Sequence, residues 1–78
     1  MVEAFVFIKV EPNRIDKVGM SVKKLTNVKD AYAVTGEYDI IAYVEARDFG
    51  ELSRVIREQI LSIPGINKTN TSVIIEKY

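Results

Sequence analysis

The segment Val2-Glu-Ala-Phe-Val-Phe-Ile-Lys-Val10 alternates strictly, and large apolar side chains fall on both of its alternations. Val2, Ala4, Val6, Ile8 and Val10 point one way along an extended chain, and Glu3, Phe5, Phe7 and Lys9 point the other. Period-2 spacing makes the segment a strand, and Phe5 and Phe7 leave its second face in need of cover. A chain of 78 residues has little with which to provide it. A domain of this size buries only ~60% of the surface its unfolded chain exposes, and disulfides, metals or self-association commonly supply the missing stability. With no Cys and no His in the chain, disulfides and the usual zinc sites are excluded. What remains is a well-packed core, for which a hydrophobic content of 47% is ample, or association with another chain.

The period then changes several times. Pro12 cannot donate to a ladder, Asn13 is placed to cap a helix, and Asp16 would sit at its third position, where a carboxylate suits the helix dipole. Ile15, Val18, Val22 and Leu25 form a stripe at helical spacing, and Gly19 beside it lets the helix approach a sheet closely. A strand follows over 28–34, then a turn around Gly36, then a strand over 39–46 in which Ile40, Ala42 and Val44 oppose Ile41 and Tyr43. Asp48 and Glu51 have capping-box spacing and open a second helix with the stripe Phe49, Leu52, Val55, Ile56, Ile60 and Ile63, which Pro64-Gly65 stops. The last strand covers 67–77. The order β-α-β-β-α-β is the ferredoxin-like split motif of the α+β class. It gives one domain over residues 1–78, a four-stranded antiparallel sheet of order 4-1-3-2, and two helices on one face.

Two helices cover one face of a sheet, so the other face of a monomer should be polar. Here Phe5 and Phe7 on the first strand and Ile41 and Tyr43 on the third, the central pair of this topology, would cluster on it. An apolar patch of this kind marks an interface, and the expectation is a two-fold dimer through the sheets. Leu61, half a turn off the second helical stripe, fits a further contact surface for assembly beyond the dimer.

Lys plus Arg equals Asp plus Glu, eleven of each, and the isoelectric point is near 6.2, whereas dedicated nucleic-acid binders carry a basic excess. The RNA-recognition fold shares this topology and stacks bases on strands 1 and 3. Phe7 and Tyr43 lie on those strands, but Glu37 and Asp39 stand where phosphates would approach. No direct nucleic-acid binding is expected. No run approaches about 18 apolar residues, so no membrane span is expected. The N-terminus lacks a basic region and a cleavage site and reads as strand, with the cytoplasm as the default compartment. Without imidazole or thiol, with unpartnered serines and with no phosphate-binding glycine loop, neither catalytic residues, a metal nor a cofactor is expected.

The stretch Thr35-Gly-Glu-Tyr-Asp-Ile-Ile-Ala-Tyr-Val-Glu-Ala46 places two carboxylates and a tyrosine at the mouth of a strand. Gly36 there is a turn glycine, and Asp39 is placed to bond local backbone at a strand start. Together with Ile63-Pro-Gly-Ile-Asn-Lys-Thr-Asn-Thr-Ser-Val-Ile-Ile75, this stretch resembles the effector (RAM) domain of the Lrp/AsnC, or feast/famine, transcriptional regulators. The resemblance covers nearly the whole chain. Its strongest parts are Gly36-x-Tyr38-Asp39 before a β run, and Pro64-Gly65-Ile66 before Thr69-x-Thr71.

The resemblance implies a βαββαβ domain that dimerises through its sheets, assembles into rings such as octamers, and binds an amino acid effector at contacts between dimers. Carried onto this sequence, the ligand-binding residues are Thr35, Gly36, Glu37, Tyr38 and Asp39 in the loop, with Thr69, Thr71 and Ser72 toward the last strand. Asp39 would accept from the effector's ammonium, backbone N–H groups around Gly36 would meet its carboxylate, and the hydroxyls would satisfy either end. Full-length members carry a helix-turn-helix before this domain. This chain starts at the first strand, so it resembles a stand-alone module acting through partners, with mixed assemblies with full-length Lrp/AsnC regulators as the route. Two alternatives share the topology. An ACT-type amino-acid-binding domain favours a glycine loop after strand 1, where this chain has Val-Glu-Pro-Asn-Arg-Ile-Asp. A small dimeric α+β-barrel enzyme would bind substrate between helices and sheet, where the tightly aliphatic positions leave little cavity.

Overall fold

The computed structural model describes the whole chain, Met1–Tyr78. The strands are β1 (Val2–Val10), β2 (Val28–Ala33), β3 (Ile40–Ala46) and β4 (Ile66–Val73). Helix α1 (Ile15–Lys23) joins β1 to β2, and α2 (Phe49–Arg54), extended by a π-helical turn over Val55–Ile60, joins β3 to β4. The sheet order β2-β3-β1-β4 is the expected 4-1-3-2 read from the other edge. β1 is central and runs antiparallel to both neighbours.

The alternation of β1 and β3 divides the sheet as the sequence indicates. Ala4, Val6, Ile8 and Val10 interlock with Ile40, Ala42, Val44 and Ala46 beneath the helices, and all eight are buried. Val18 and Val22 of α1, with Leu52, Val55 and Ile60 of the second helical segment, close over them. Every buried residue is apolar. This face needs no polar satisfaction and gains its stability from area removed from water, about 25 cal/mol per Å².

The helix boundaries differ from the sequence expectation. Asn13 does not cap α1, because Pro12–Arg14 already form a 3-10 turn in which the Arg14 N–H donates to the Glu11 carbonyl at 2.9 Å. Proline at the first position of that turn loses no hydrogen bond. Asp16 does fall in the first turn of α1. Asp48 caps α2 by accepting the Glu51 N–H at 2.8 Å, while the Glu51 carboxylate reaches one residue further back, to the Arg47 N–H at 2.8 Å. Phe49, expected in the buried stripe, is 65% exposed. The later part of the stripe is rescued by the π turn, marked by the Leu61 N–H bonding the Ile56 carbonyl at 2.9 Å. Five residues apart on an α-helix, Val55 and Ile60 would diverge by about 140°. The wider turn brings both onto the sheet, where they are buried.

Gly19 does face the sheet, but a methyl added there would lie 3.6 Å from Ile40 Cδ1, an ordinary contact, so helix approach does not require a glycine. Gly65 (φ 101°) is different, because a Cβ would come within 2.8 Å of Arg14 Cδ and 3.2 Å of Val18 Cγ2. Its carbonyl also accepts the Glu11 N–H at 2.9 Å, closing the far end of the sheet. β4 ends at Val73, short of the expected Lys77, and leaves Ile75 94% exposed.

Candidate functional site

The loop 34–39 joins β2 to β3 and is fastened at its base to β1. The Asp39 N–H donates to the Ile8 carbonyl at 3.0 Å, and the Val34 N–H donates to the Asp39 carbonyl at 2.9 Å. β3 starts only at Ile40, so Val10 of β1 has no β3 backbone opposite it. Asp39 Oδ2 takes that place and accepts the Val10 N–H at 2.8 Å. Lys9 Nζ lies 3.9 Å from the same oxygen and donates to the Glu37 carbonyl at 3.1 Å, binding the loop from the second face of the sheet. Asp39 Oδ1 makes no hydrogen bond within the chain.

Beyond this base, Thr35, Gly36 and Glu37 are exposed. Gly36 adopts φ 111°, which L side chains rarely take, and nothing lies within 4 Å of where a Cβ would be. The glycine therefore serves backbone shape and leaves its peptide groups open to solvent. Tyr38 folds onto the second face. Its ring is tilted 52° against Phe7 with centroids 5.8 Å apart, and Lys68 Nζ lies 5.8 Å from its centroid, the geometry of a cation–π contact.

The β4 residues assigned to the site divide between the two faces. Thr69 and Thr71 stand opposite Ile8 and Val6, so they share the helix side of the sheet and are half-buried. Ser72 stands opposite Phe5, on the second face with Asn70 and Lys68. The structure therefore gathers Tyr38, Asp39, Lys9, Phe7 and Lys68 around the loop, with Asn70 next in line. Thr69 and Thr71 lie behind the sheet from them. Lys9, Lys68 and Asn70 were absent from the sequence assignment, although the period-2 register of β4 places Lys68, Asn70 and Ser72 on one face.

The expected interface residues do share the second face. Phe5 is opposite Tyr43 and Phe7 opposite Ile41 in the β1–β3 register. The Phe5 and Tyr43 rings are 5.6 Å apart at 47°, and Phe5 is 39% exposed. At the far end of this face Glu3 and Glu45 are directly opposed. Like charges there would repel, but the Tyr43 hydroxyl donates to Glu3 and lies 3.3 Å from Glu45, and Lys77 Nζ is 3.0 Å from Glu3. The Tyr43 hydroxyl bond first, and Lys77 next, hold the Glu3 carboxyl below its ordinary range, and the Glu3 bond in turn pushes the Tyr43 phenol up.

Neither of the two cavities touches the loop 35–39 or the assigned β4 residues. One chain thus presents this loop as an open surface. The larger cavity, about 450 Å³, is an open groove between α1 and β2. This corrects the expectation that aliphatic packing leaves little space: Gly19, Ala31 and Ala33 are too small to fill the angle between helix and edge strand. No helix is long and apolar enough to cross a membrane.

Residues 3–78 match the model of the Lrp/AsnC ligand binding domain family. An uncharacterized HTH-type transcriptional regulator of Pyrococcus horikoshii, PH1692, is 37% identical over 73 residues, 94% of this chain and 49% of the relative. The chain therefore spans about half the length of that regulator. The homocitrate synthase of Sulfurisphaera tokodaii is 34% identical over 77 residues, 97% of this chain and 16% of the enzyme. Among solved structures, TTHA0845 from Thermus thermophilus has a TM-score of 0.95 at 37% identity, covering 100% of this chain and 98% of that one. The transcriptional regulator NMB0573 from Neisseria meningitidis, solved as an L-Met complex, shares the fold with a TM-score of 0.89 at 22% identity, over 97% of this chain and 51% of that one.

Proposed function

Since the chain belongs to the Lrp/AsnC ligand-binding domain family, we propose that it is an oligomeric amino-acid-sensing module in transcriptional regulation. The observation that carries this reading is the loop 34–39 itself. Its base is locked to β1 through Asp39 and Lys9, while its tip presents open peptide groups at Gly36 beside exposed cations. A free amino acid needs an acceptor for its ammonium and donors for its carboxylate. Asp39 Oδ1 is the acceptor, and the Gly36 region with Lys9 or Lys68 supplies the donors. Thr35, Glu37 and Tyr38 shape the rim, and Ser72 contributes from β4 on the same face, whereas Thr69 and Thr71 lie on the helix side and take no part. One chain does not enclose this surface, so the pocket is completed by a neighbouring copy. That requirement fits a dimer through Phe5, Phe7, Ile41 and Tyr43 that assembles further into a ring such as an octamer.

The matched regulator and the L-Met complex support an amino acid effector in gene control, and the cytoplasm is the compartment this role requires. Co-assembly with full-length Lrp/AsnC regulators is the route by which the module reaches DNA, since it carries no net positive charge of its own. The match to homocitrate synthase takes in only 16% of that enzyme, so its activity is not carried over to this chain.

The test is calorimetric titration with each of the twenty amino acids on wild type and Asp39→Asn. The amide oxygen keeps the Val10 cap and removes the charge. Binding in wild type that falls at least tenfold in Asp39→Asn, with unchanged thermal unfolding, is expected. Equal affinity in both proteins would remove Asp39 from the ammonium site.

A further inference from the structure

The second face of the sheet carries a like-charge pair of directly opposed residues at each end. Glu3 stands opposite Glu45 across β1 and β3, and Lys9 stands opposite Lys68 across β1 and β4. Opposed residues on neighbouring strands hold their Cβ atoms about 4.5–5.5 Å apart, close enough for like charges to cost stability. The chain itself relieves the acidic pair. The Tyr43 hydroxyl donates to Glu3 and lies 3.3 Å from Glu45, and Lys77 Nζ is 3.0 Å from Glu3.

The basic pair is relieved on one side only. Lys9 Nζ lies 3.9 Å from Asp39 Oδ2 and donates to the Glu37 carbonyl at 3.1 Å. Lys68 is exposed and takes part in none of the ion pairs of the chain. The Glu37 carboxylate, also exposed, does not pair with it. Lys68 Nζ stands 5.8 Å from the centroid of the Tyr38 ring, inside the candidate site. The ring attracts the ammonium but brings no counter-charge. Asn70, two residues further along β4 and about 7 Å away, is exposed on the same face, opposite Phe7. A cation and an amide donor therefore stand side by side next to the loop 34–39, with no acid of the chain against them.

We propose that the effector carries a second carboxylate, bound by Lys68 and Asn70, so that the module takes an acidic amino acid, L-aspartate or L-glutamate. This rests on the amino-acid-sensing reading and names the ligand class for the same loop. Asp39 Oδ1 accepts from the ammonium, and the Gly36 peptide groups with Lys9 meet the α-carboxylate. The side-chain carboxylate then supplies the counter-charge that the opposed lysines lack, through charge-assisted hydrogen bonds. Lys68 also rejects competitors. It repels the side chains of lysine and arginine, and an apolar side chain offers it no acceptor.

Calorimetric titrations compare L-aspartate with L-asparagine and L-glutamate with L-glutamine, on wild type, Lys68→Met and Lys68→Arg. Each amide matches its acid in size and lacks the charge. In wild type, one of the two acids should bind on the order of tenfold to a hundredfold tighter than its amide, the effect of one charged hydrogen bond. The wild-type comparison needs no variant, and it tells aspartate from glutamate. Lys68→Met keeps an unbranched stem beside Tyr38 and should bring the acid down to the affinity of its amide. Lys68→Arg should keep the preference. A merely structural role for Lys68 would lower acid and amide alike and would overturn the assignment. A neutral or basic amino acid that binds more tightly than either acid, through Asp39 and independently of Lys68, would overturn the acidic preference and leave the sensing role standing. Binding by none of the twenty amino acids would overturn both.

Discussion

The two faces of the sheet are made by the same strands with the same period, yet they solve different problems. The helix side is filled by Ala4, Val6, Ile8, Ile40, Ala42 and Val44, all buried and free of polar atoms in their side chains. The other side carries Phe5, Phe7, Tyr38 and Tyr43 in tilted pairs, rimmed by Glu3, Glu45, Lys9 and Lys68. Small aliphatic side chains let two helices come close to the sheet. Aromatic rings with polar tips suit a surface that must be soluble before assembly and dry after it. The difference separates a face that folding buries from one that the proposed assembly would cover, and each claim can be broken separately.

The largest expected effect is on the folding side. Ile8→Ala should cost about 2–5 kcal/mol in urea unfolding, since the side chain is fully buried and leaves a cavity. Phe7→Ala should cost the isolated subunit less than that, but should shift sedimentation from dimer toward monomer. Equal stability losses with unchanged assembly would erase the distinction between the faces.

The glycines sharpen the same contrast between structural and recognition surfaces. Gly65→Ala should destabilise by about 1–3 kcal/mol from backbone strain alone, and by more because its Cβ meets Arg14 and Val18. Gly36→Ala carries the backbone strain without the clash. Thermal unfolding should therefore show a smaller loss there, with amino acid binding weakened more than stability. Gly19→Ala should stabilise α1 by up to about 1 kcal/mol, because the space is free and alanine loses less entropy.

The smallest effect concerns the Glu3 cluster. Its carboxyl is held low by the Tyr43 hydroxyl, so it contributes stability above its unfolded range and loses it as pH falls through its folded value. The stability difference between wild type and Tyr43→Phe should be present at neutral pH and shrink on acidification. A difference that grows toward acid would contradict the assigned bond.

Much of the fold was legible because burial writes a period into the sequence. The alternation of 2–10 and 40–46, the α1 stripe and the Asp48 cap all reappear in the structure. Features that depend on geometry between elements were not legible. Nothing local tells Asn13 that a 3-10 turn starts before it, or tells Val55 and Ile60 that a π turn will align them. The groove beside β2 depends on how far α1 stands from an edge strand, which no single stripe encodes. At the candidate site, Gly36 and Asp39 could be singled out from the loop sequence. The use of Asp39 Oδ2 on Val10 could not be foreseen, because it follows from β3 starting one residue later than expected. Lys68 was readable in principle, since its face is fixed once β4 is registered against β1.

Native mass spectrometry of the protein, alone and with each of the twenty amino acids, tests the central claim most directly. Even-numbered assemblies that retain one amino acid per subunit are the predicted result, and they would identify the effector. A monomer at micromolar concentration that retains none of the twenty would contradict both the recognition face and the sensing role.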